Sequence, residues 1–140
     1  MSACVETRIE PYVVALEPVA FFRPSEEVDL ARVSELVALI ETCGEWRVPL
    51  PVEATTGIVM DGNHRLHAAA ILGLVRLPCV PLLYADQRVS VCCWQSGAPF
   101  ELERIAALER QRAVLPYKTT RHRFDPPLPG CRIPLALLRR

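Results

Sequence analysis

Hydrophobic residues recur along the chain in short runs and in one stripe of helical period. After Asp29, four apolar residues follow at spacings i, i+3, i+4 and i+7, namely Val33, Leu36, Val37 and Ile40. That spacing places them on one face of an α-helix. Gly44 comes directly after the stripe, and glycine is a common residue at the end of a helix. The pattern therefore predicts an amphipathic helix from Asp29 to Gly44.

Runs of apolar and β-branched residues predict strands before and after this helix. The first run is Tyr12 to Leu16. Two further runs, Pro49 to Glu53 and Ile58 to Met60, flank the turn Thr55-Thr56-Gly57, so a hairpin is expected there.

The second half of the chain alternates strand and helix patterns in the same way. Leu77 to Tyr84 is apolar but contains two prolines, which predicts a short strand or one at a sheet edge. Val89 to Trp94 predicts another strand, and Pro99 is expected to open a helix in its first turn.

The irregular mixture of strands and helices predicts one small α/β, or α+β, domain over residues 1–140. The chain shows no internal repeat and no linker composition. Residues 1–10 are expected to form a loose arm, residues 10–125 the core, and residues 126–140 a proline-rich tail that covers it.

Charge and composition exclude several classes of protein. The formal net charge is zero, with 16 basic and 16 acidic side chains, whereas general nucleic-acid binders usually carry a basic excess. No apolar run approaches the roughly 18 residues that span a bilayer. The N-terminal residues lack the pattern of a signal peptide, so we expect a cytoplasmic protein. The six cysteines include no C-x-x-C pair, which favours reduced thiols over a zinc site.

The most informative segment is the sequence Asp61-Gly62-Asn63-His64-Arg65. It follows an apolar run and precedes a helical run from Leu66 to Leu72 that ends at Gly73, which predicts a strand, a tight turn and a helix. Free N–H groups at a helix N-terminus favour anions, and arginine grips phosphate with two prongs. Asp61 would be repelled by bare phosphate, which suggests that it holds Mg²⁺ or acts on a proton. The alternative is a helix-capping aspartate with a solvated arginine.

Three further groups of residues could carry chemistry. Glu26 and Glu27 lie in a loop before the first helix and could supply a general base, or could simply favour the helix dipole. Trp94 could contact a ligand or pack in the core. The run Lys118-Thr119-Thr120-Arg121-His122 could bind carboxylate or phosphate oxygens, or could be a solvated basic strand.

Taken together, these motifs resemble a known superfamily. The order of Pro24-x-Glu26, the Asp61 to Arg65 turn, Gly73-Leu-Val-Arg-Leu-Pro78, Trp94 and Pro116-Tyr-Lys-Thr-Thr-Arg-His122 is similar to that of the ParB/sulfiredoxin-like proteins. Within them it looks like the free L-serine kinases, archaeal ADP-dependent or bacterial ATP-dependent. The resemblance covers roughly residues 10–125 and implies a small ParB N-terminal/sulfiredoxin-like fold, with a mixed sheet flanked by helices.

The resemblance also implies roles for individual residues. Glu26 would accept the proton of the serine hydroxyl, with Glu27 as the alternative. Asp61 would lie near that hydroxyl or the metal. The phosphate-binding turn would be formed by Gly62, Asn63, His64 and Arg65. The free amino acid would be held by Trp94, Thr119, Thr120, Arg121 and His122. Asn63 departs from the second histidine that these kinases often carry.

The sequence thus predicts a Mg²⁺-dependent kinase that uses ATP or ADP to make O-phospho-L-serine. A non-catalytic nucleotide-binding regulatory module of the same superfamily is the alternative. A nuclease is disfavoured by the zero net charge and the lack of clustered acidic residues. The sequence leaves open the oligomeric state and the choice of nucleotide.

Overall fold

The computed structural model describes residues 12–140, and the predicted N-terminal arm, residues 1–10, lies outside them. In chain order the elements are β1 (Ala15–Pro18), α1 (Leu30–Cys43), β2 (Glu45–Trp46), β3 (Leu50–Glu53), α2 (Asn63–Ile71), β4 (Arg76–Leu82), β5 (Val89–Cys93), α3 (Leu102–Gln111), β6 (Thr120–Phe124), β7 (Ile133–Pro134) and α4 (Leu135–Leu138). The predicted α/β class is confirmed.

The largest sheet has the order β1-β4-β3 and is mixed, because β4 pairs antiparallel with β1 and parallel with β3. The prediction that the two prolines would shorten β4 or place it at an edge is wrong. The two neighbours are staggered: β1 pairs with Arg76 to Cys79, and β3 pairs with Cys79 to Leu82. Pro78 therefore pairs only with β1, and Pro81 pairs only with β3. Each proline has a neighbouring strand on one side only, so its missing N–H is tolerated.

Helix α1 follows its prediction closely. The Asp29 side chain accepts a hydrogen bond from the Ala31 N–H (3.0 Å), and Gly44 ends the helix in the left-handed conformation. Val33, Leu36 and Ile40 are buried against residues of α2 and the sheet.

The main core lies between α1, α2 and the three-stranded sheet. Residues of the proline-rich tail belong to it as well, because Leu135 and Leu138 are buried in the same cluster as Leu50 and Leu77. Strand β7 pairs with β2, which fixes this part of the tail to the end of α1.

Two local predictions are corrected. Pro99 does not open α3, which begins at Leu102; it forms a bridge with Cys92 instead, because the chain turns tightly after β5 and runs back along it. The expected strand Ile58 to Met60 forms only isolated bridges, since Ile58 pairs with Arg23 and Val59 pairs with Val52 before the chain leaves the sheet.

None of the helices formed by residues 12–140 is long and apolar enough to cross a membrane. The five cysteines in this range are free thiols. Burial raises the pKa of Cys79 to about 11, so this thiol is inert at neutral pH.

Candidate functional site

A cavity of about 360 Å³ lies where the loop before α1, the start of α2 and the β5–β6 pair meet. Its lining contains Met60 and seven of the residues that the sequence singled out: Glu26, Asp61, Asn63, Trp94, Thr120, Arg121 and His122. Four separate segments of the chain therefore contribute polar side chains to one concave surface.

Glu26 is fixed in this cavity by donors from the start of β6. Its Oε2 accepts hydrogen bonds from the Thr120 N–H (2.8 Å) and the Thr120 hydroxyl (2.6 Å), and its Oε1 accepts one from the Lys118 N–H (3.2 Å). Thr120 is buried, so the bond from its hydroxyl is largely shielded from water. The segment that carries Glu26 also forms a parallel bridge with Leu115, which sets its distance from β6.

These contacts leave Glu26 with capacity for one more hydrogen bond. An ionised carboxylate has about four acceptor sites on its two oxygens, and three of them are filled. The remaining site is on Oε1. The neighbouring Glu27 is exposed and is not part of the cavity lining, so of the two candidates only Glu26 faces the cavity.

Asn63 is the first residue of α2, and its side chain holds the Glu26 segment. Its Oδ1 accepts hydrogen bonds from the N–H groups of Ser25 (2.7 Å) and Glu26 (3.2 Å), and its Nδ2 donates to the Ser25 hydroxyl (3.1 Å). The sequence assigned Asn63 to phosphate, but its amide group is occupied mainly by this segment.

The N-terminus of α2 is open toward anions. Gly62 is the N-cap residue and has no side chain to cap the helix, and the first intrahelical bond runs from the Leu66 N–H to the Gly62 carbonyl. The N–H groups of residues 63–65 precede that bond and are free for a ligand. Gly62 is required here, because its φ is +93° and a Cβ would lie 2.6 Å from Leu50 Cδ2.

Asp61 lies at the rim of the cavity and is exposed. Its Oδ1 accepts a hydrogen bond from the Gly62 N–H (2.8 Å), which holds the carboxylate beside the helix N-terminus. Within residues 12–140, no three His, Cys, Asp or Glu side chains cluster as a metal site. A single carboxylate nevertheless fits Mg²⁺, which commonly takes one or two protein carboxylates and completes its shell with phosphate oxygens and water.

Arg65 and His64 point away from the cavity. Arg65 lines a neighbouring cavity of about 180 Å³ on the α1 side, together with Arg32 and Arg47. Burial and the nearby Arg32 lower the pKa of Arg65, which remains charged at neutral pH. His64 Nε2 accepts a hydrogen bond from the Asp29 N–H (3.0 Å), and burial lowers the pKa of His64, so its ring is a neutral acceptor.

Trp94 forms one wall of the cavity and carries two cations near its ring. The Arg121 guanidinium carbon lies 5.2 Å from the ring centroid, and Lys118 Nζ lies 5.4 Å from it. The indole is 41% exposed, so it is a surface wall of the site and not a core residue. These contacts place positive charge beside the Trp94 wall of the cavity.

His122 enters the cavity from β6 as a neutral ring. Burial lowers its pKa to about 4. Its Nε2 lies 2.8 Å from the Tyr84 hydroxyl, and burial raises the pKa of that phenol, which therefore stays protonated at neutral pH. Tyr84 was not identified from the sequence, because nothing marks the last residue of an apolar run as a partner of a histidine 38 positions later.

Thr119 is the one predicted amino-acid ligand that does not reach the cavity. Its hydroxyl donates to the Pro116 carbonyl (2.6 Å) in the turn before β6. Thr119 precedes β6, whose first three residues, Thr120, Arg121 and His122, line the cavity.

Comparisons with known proteins agree with the resemblance seen in the sequence. No family model matches the chain. A ParB-like protein of Sulfolobus acidocaldarius is 31% identical over 72 residues, which is 51% of this chain and 36% of that protein. An ATP-dependent L-serine kinase of Staphylothermus marinus is 29% identical over 90 residues, which is 61% of this chain and 34% of that protein. The matched stretches thus span only about a third of these relatives.

Solved structures match over nearly the whole chain. A free serine kinase in complex with AMP has a TM-score of 0.78 at 14% identity and covers 92% of this chain and 95% of its own. SbnI of Staphylococcus aureus, with a C-terminal truncation, has a TM-score of 0.76 at 16% identity and covers 91% and 89%.

The chain therefore has the ParB/sulfiredoxin-like fold, as predicted. Within that class its architecture is the one found in the free serine kinases.

Proposed function

We propose that this chain is a nucleotide-dependent kinase that phosphorylates the hydroxyl of free L-serine and yields O-phospho-L-serine. The observation that carries the proposal is the position of Glu26. Its carboxylate is held by three donors, keeps one acceptor site open, and faces a cavity that begins at the anion-binding end of α2. The similarity to ATP-dependent L-serine kinases supports the same activity.

The donor side of the reaction would use the start of α2. The free N–H groups of residues 63–65 would contact phosphate oxygens. Arg65, with Arg32 beside it, lines the smaller cavity, while Asn63 lines the larger one. Asn63 and Arg65 are two residues apart in the first turn of α2, so the two cavities lie on different sides of that turn. A nucleotide over the arginines would direct its terminal phosphate toward Glu26.

The acceptor side would use the larger cavity. Serine carries a carboxylate, an ammonium group and a hydroxyl, and the cavity offers Arg121, neutral His122 and Glu26. The serine hydroxyl would donate to the open site on Glu26 Oε1 and would transfer its proton there as its oxygen attacks the terminal phosphorus of the nucleotide. The bond from that phosphorus to the bridging oxygen would break, so ADP would leave from ATP, or AMP from ADP.

Asp61 would hold Mg²⁺ that arrives with the nucleotide, and the ion would supply neutralisation of phosphate charge. The carboxylate is already oriented for this role by the Gly62 N–H. ATP and ADP both fit this arrangement.

The test is incubation of the purified protein with L-serine, Mg²⁺ and either nucleotide, followed by detection of phosphoserine by mass spectrometry. Glu26→Gln should reduce turnover to a small residual rate, because the amide cannot accept the proton, while nucleotide binding should persist. Glu27→Gln is the matched control and should keep full activity, because Glu27 is exposed outside the cavity. Equal activity of the two variants would remove Glu26 from its role.

A regulatory module remains the second candidate, and the name of the ParB-like relative is compatible with it. The same experiment separates the two. Nucleotide binding with no phosphoserine formed, in folded protein, would favour the module and refute the kinase.

A further inference from the structure

We infer that Asn63 is a positioning residue whose side chain sets Glu26 for proton transfer, and that this side chain does not bind the nucleotide phosphates. The inference rests on the proposed kinase function and deepens it. Asn63, the first residue of α2, would then connect the nucleotide side of the site with the serine side.

The Ser25–Glu26 segment is held from two sides. On one side the Ser25 carbonyl accepts from the Leu115 N–H (2.8 Å) and the Glu27 N–H donates to the Leu115 carbonyl (2.8 Å). On the other side no strand formed by residues 12–140 is present, and the Asn63 amide bonds the N–H groups of Ser25 and Glu26 instead. Buried backbone N–H groups need such partners.

Ser25 shows that this contact is part of the buried structure. It is only 4% exposed, and it and Thr120 are the two buried polar side chains among residues 12–140. Both help to hold this segment: the Ser25 hydroxyl, which belongs to it, accepts from Asn63 Nδ2, and the Thr120 hydroxyl donates to the Glu26 carboxylate.

The hydrogen-bonding capacity of Asn63 is largely used by this segment. Both acceptor sites of Oδ1 and one of the two Nδ2 hydrogens are engaged. Its backbone N–H belongs to the first turn of α2 and remains free for an anion. The main-chain N–H of Asn63 is therefore free to bind the nucleotide, while its side chain holds the Ser25–Glu26 segment.

Asn63→Ala separates these two roles, because it removes the side chain and keeps the backbone N–H. We expect kcat to fall by about 10²-fold, the loss typical of a reactive group displaced by about 1 Å. The Kd for a non-hydrolysable nucleotide, measured without serine, should change little. If the Asn63 side chain bonded phosphate, its removal would raise that Kd by at least about tenfold. This result would overturn the inference.

The Glu26→Gln background supplies the decisive comparison. If Asn63 acts through Glu26, adding Asn63→Ala to Glu26→Gln should cause no further loss in residual turnover. A full additional loss of about 10²-fold would show that Asn63 acts independently and would refute a positioning role.

Asn63→Asp guards against a variant that fails to fold. It keeps an acceptor for both N–H groups but adds a negative charge beside the proposed phosphate site, so it is followed by hydrogen exchange and not by kcat. The amides of Ser25 and Glu26 should exchange as slowly as in the wild-type protein, and exchange as fast as in Asn63→Ala would contradict the assigned contacts.

Hydrogen exchange tests the contacts of Asn63 with the Ser25 and Glu26 N–H groups independently of enzyme activity. The amides of Ser25 and Glu26 should exchange faster in Asn63→Ala, while amides inside α1 keep their rates. If the wild-type protein makes no phosphoserine with either nucleotide, the proposed function fails, and with it the positioning role. The contacts of Asn63 with this segment are refuted only if the exchange rates of the Ser25 and Glu26 amides are unchanged in Asn63→Ala.

Discussion

Gly62 offers the sharpest test of the local structure at the turn before α2. In Gly62→Ala the new methyl group meets two obstacles. The backbone φ of +93° lies outside the range that alanine adopts easily, and the Cβ would lie 2.6 Å from Leu50 Cδ2 in the buried core. The first obstacle costs about 1–2 kcal/mol and the second, as overpacking, about 1–3 kcal/mol. Together they predict a loss of about 2–5 kcal/mol in the free energy of unfolding.

Gly73 provides a matched control at the other end of the same helix. Its φ is +72°, but a Cβ there has no neighbouring atom within 4 Å. Gly73→Ala should therefore lose only the backbone term of about 1–2 kcal/mol. Urea denaturation followed by circular dichroism measures both losses on one scale.

Leu50 identifies the source of the difference. In a Leu50→Ala background the steric obstacle is removed, so Gly62→Ala should cost no more than Gly73→Ala. Equal costs for the two glycines in the wild-type background would refute the reasoning, because the contact with Leu50 would then have no energetic consequence.

Two further predictions concern the cavity. Thr120→Val should lower the free energy of unfolding by about 1.5–3 kcal/mol, because it removes a shielded hydrogen bond to the Glu26 carboxylate. Thr119→Val, which loses an exposed bond to a carbonyl, should cost only about 0.5–1.5 kcal/mol in the same urea experiment, and equal losses would contradict the assignment. His122 should make the protein less stable as the pH falls from 6.5 towards about 4, since the unfolded chain takes up a proton on this ring and the folded protein does not. Above pH 6.5 both states are neutral and the contribution vanishes, and an unchanged pH dependence in His122→Gln would refute this origin.

The local elements with strong sequence signals were the ones that could be predicted. The stripe after Asp29, closed by Gly44, fixed α1 because both the period and the two ends agree. The turn before α2 was recognisable because an apolar run stops at an acid and a glycine and a helix-forming run follows. The cavity could be predicted only through the resemblance to the serine kinases, since no local pattern connects Glu26 with Thr120.

The features that were missed depend on pairings between distant segments. The central place of β4 follows from the stagger of β1 and β3, which its own prolines could not reveal. Pro99 is typical of a helix start, but its bridge to Cys92 overrides that preference. The side-chain role of Asn63 depends on where Ser25 lies, 38 residues earlier.

The hydrogen bonds on Glu26 have a consequence for folding. They join residues 92 and 94 positions apart in the chain, whereas α2 forms through contacts within a few residues. Closing so large a loop costs conformational entropy, which is offset only by contacts that form afterwards. Folding also slows as contact order rises. The helix end proposed to bind phosphate can thus form early, while the Glu26 carboxylate is fixed only once both halves of the chain have met.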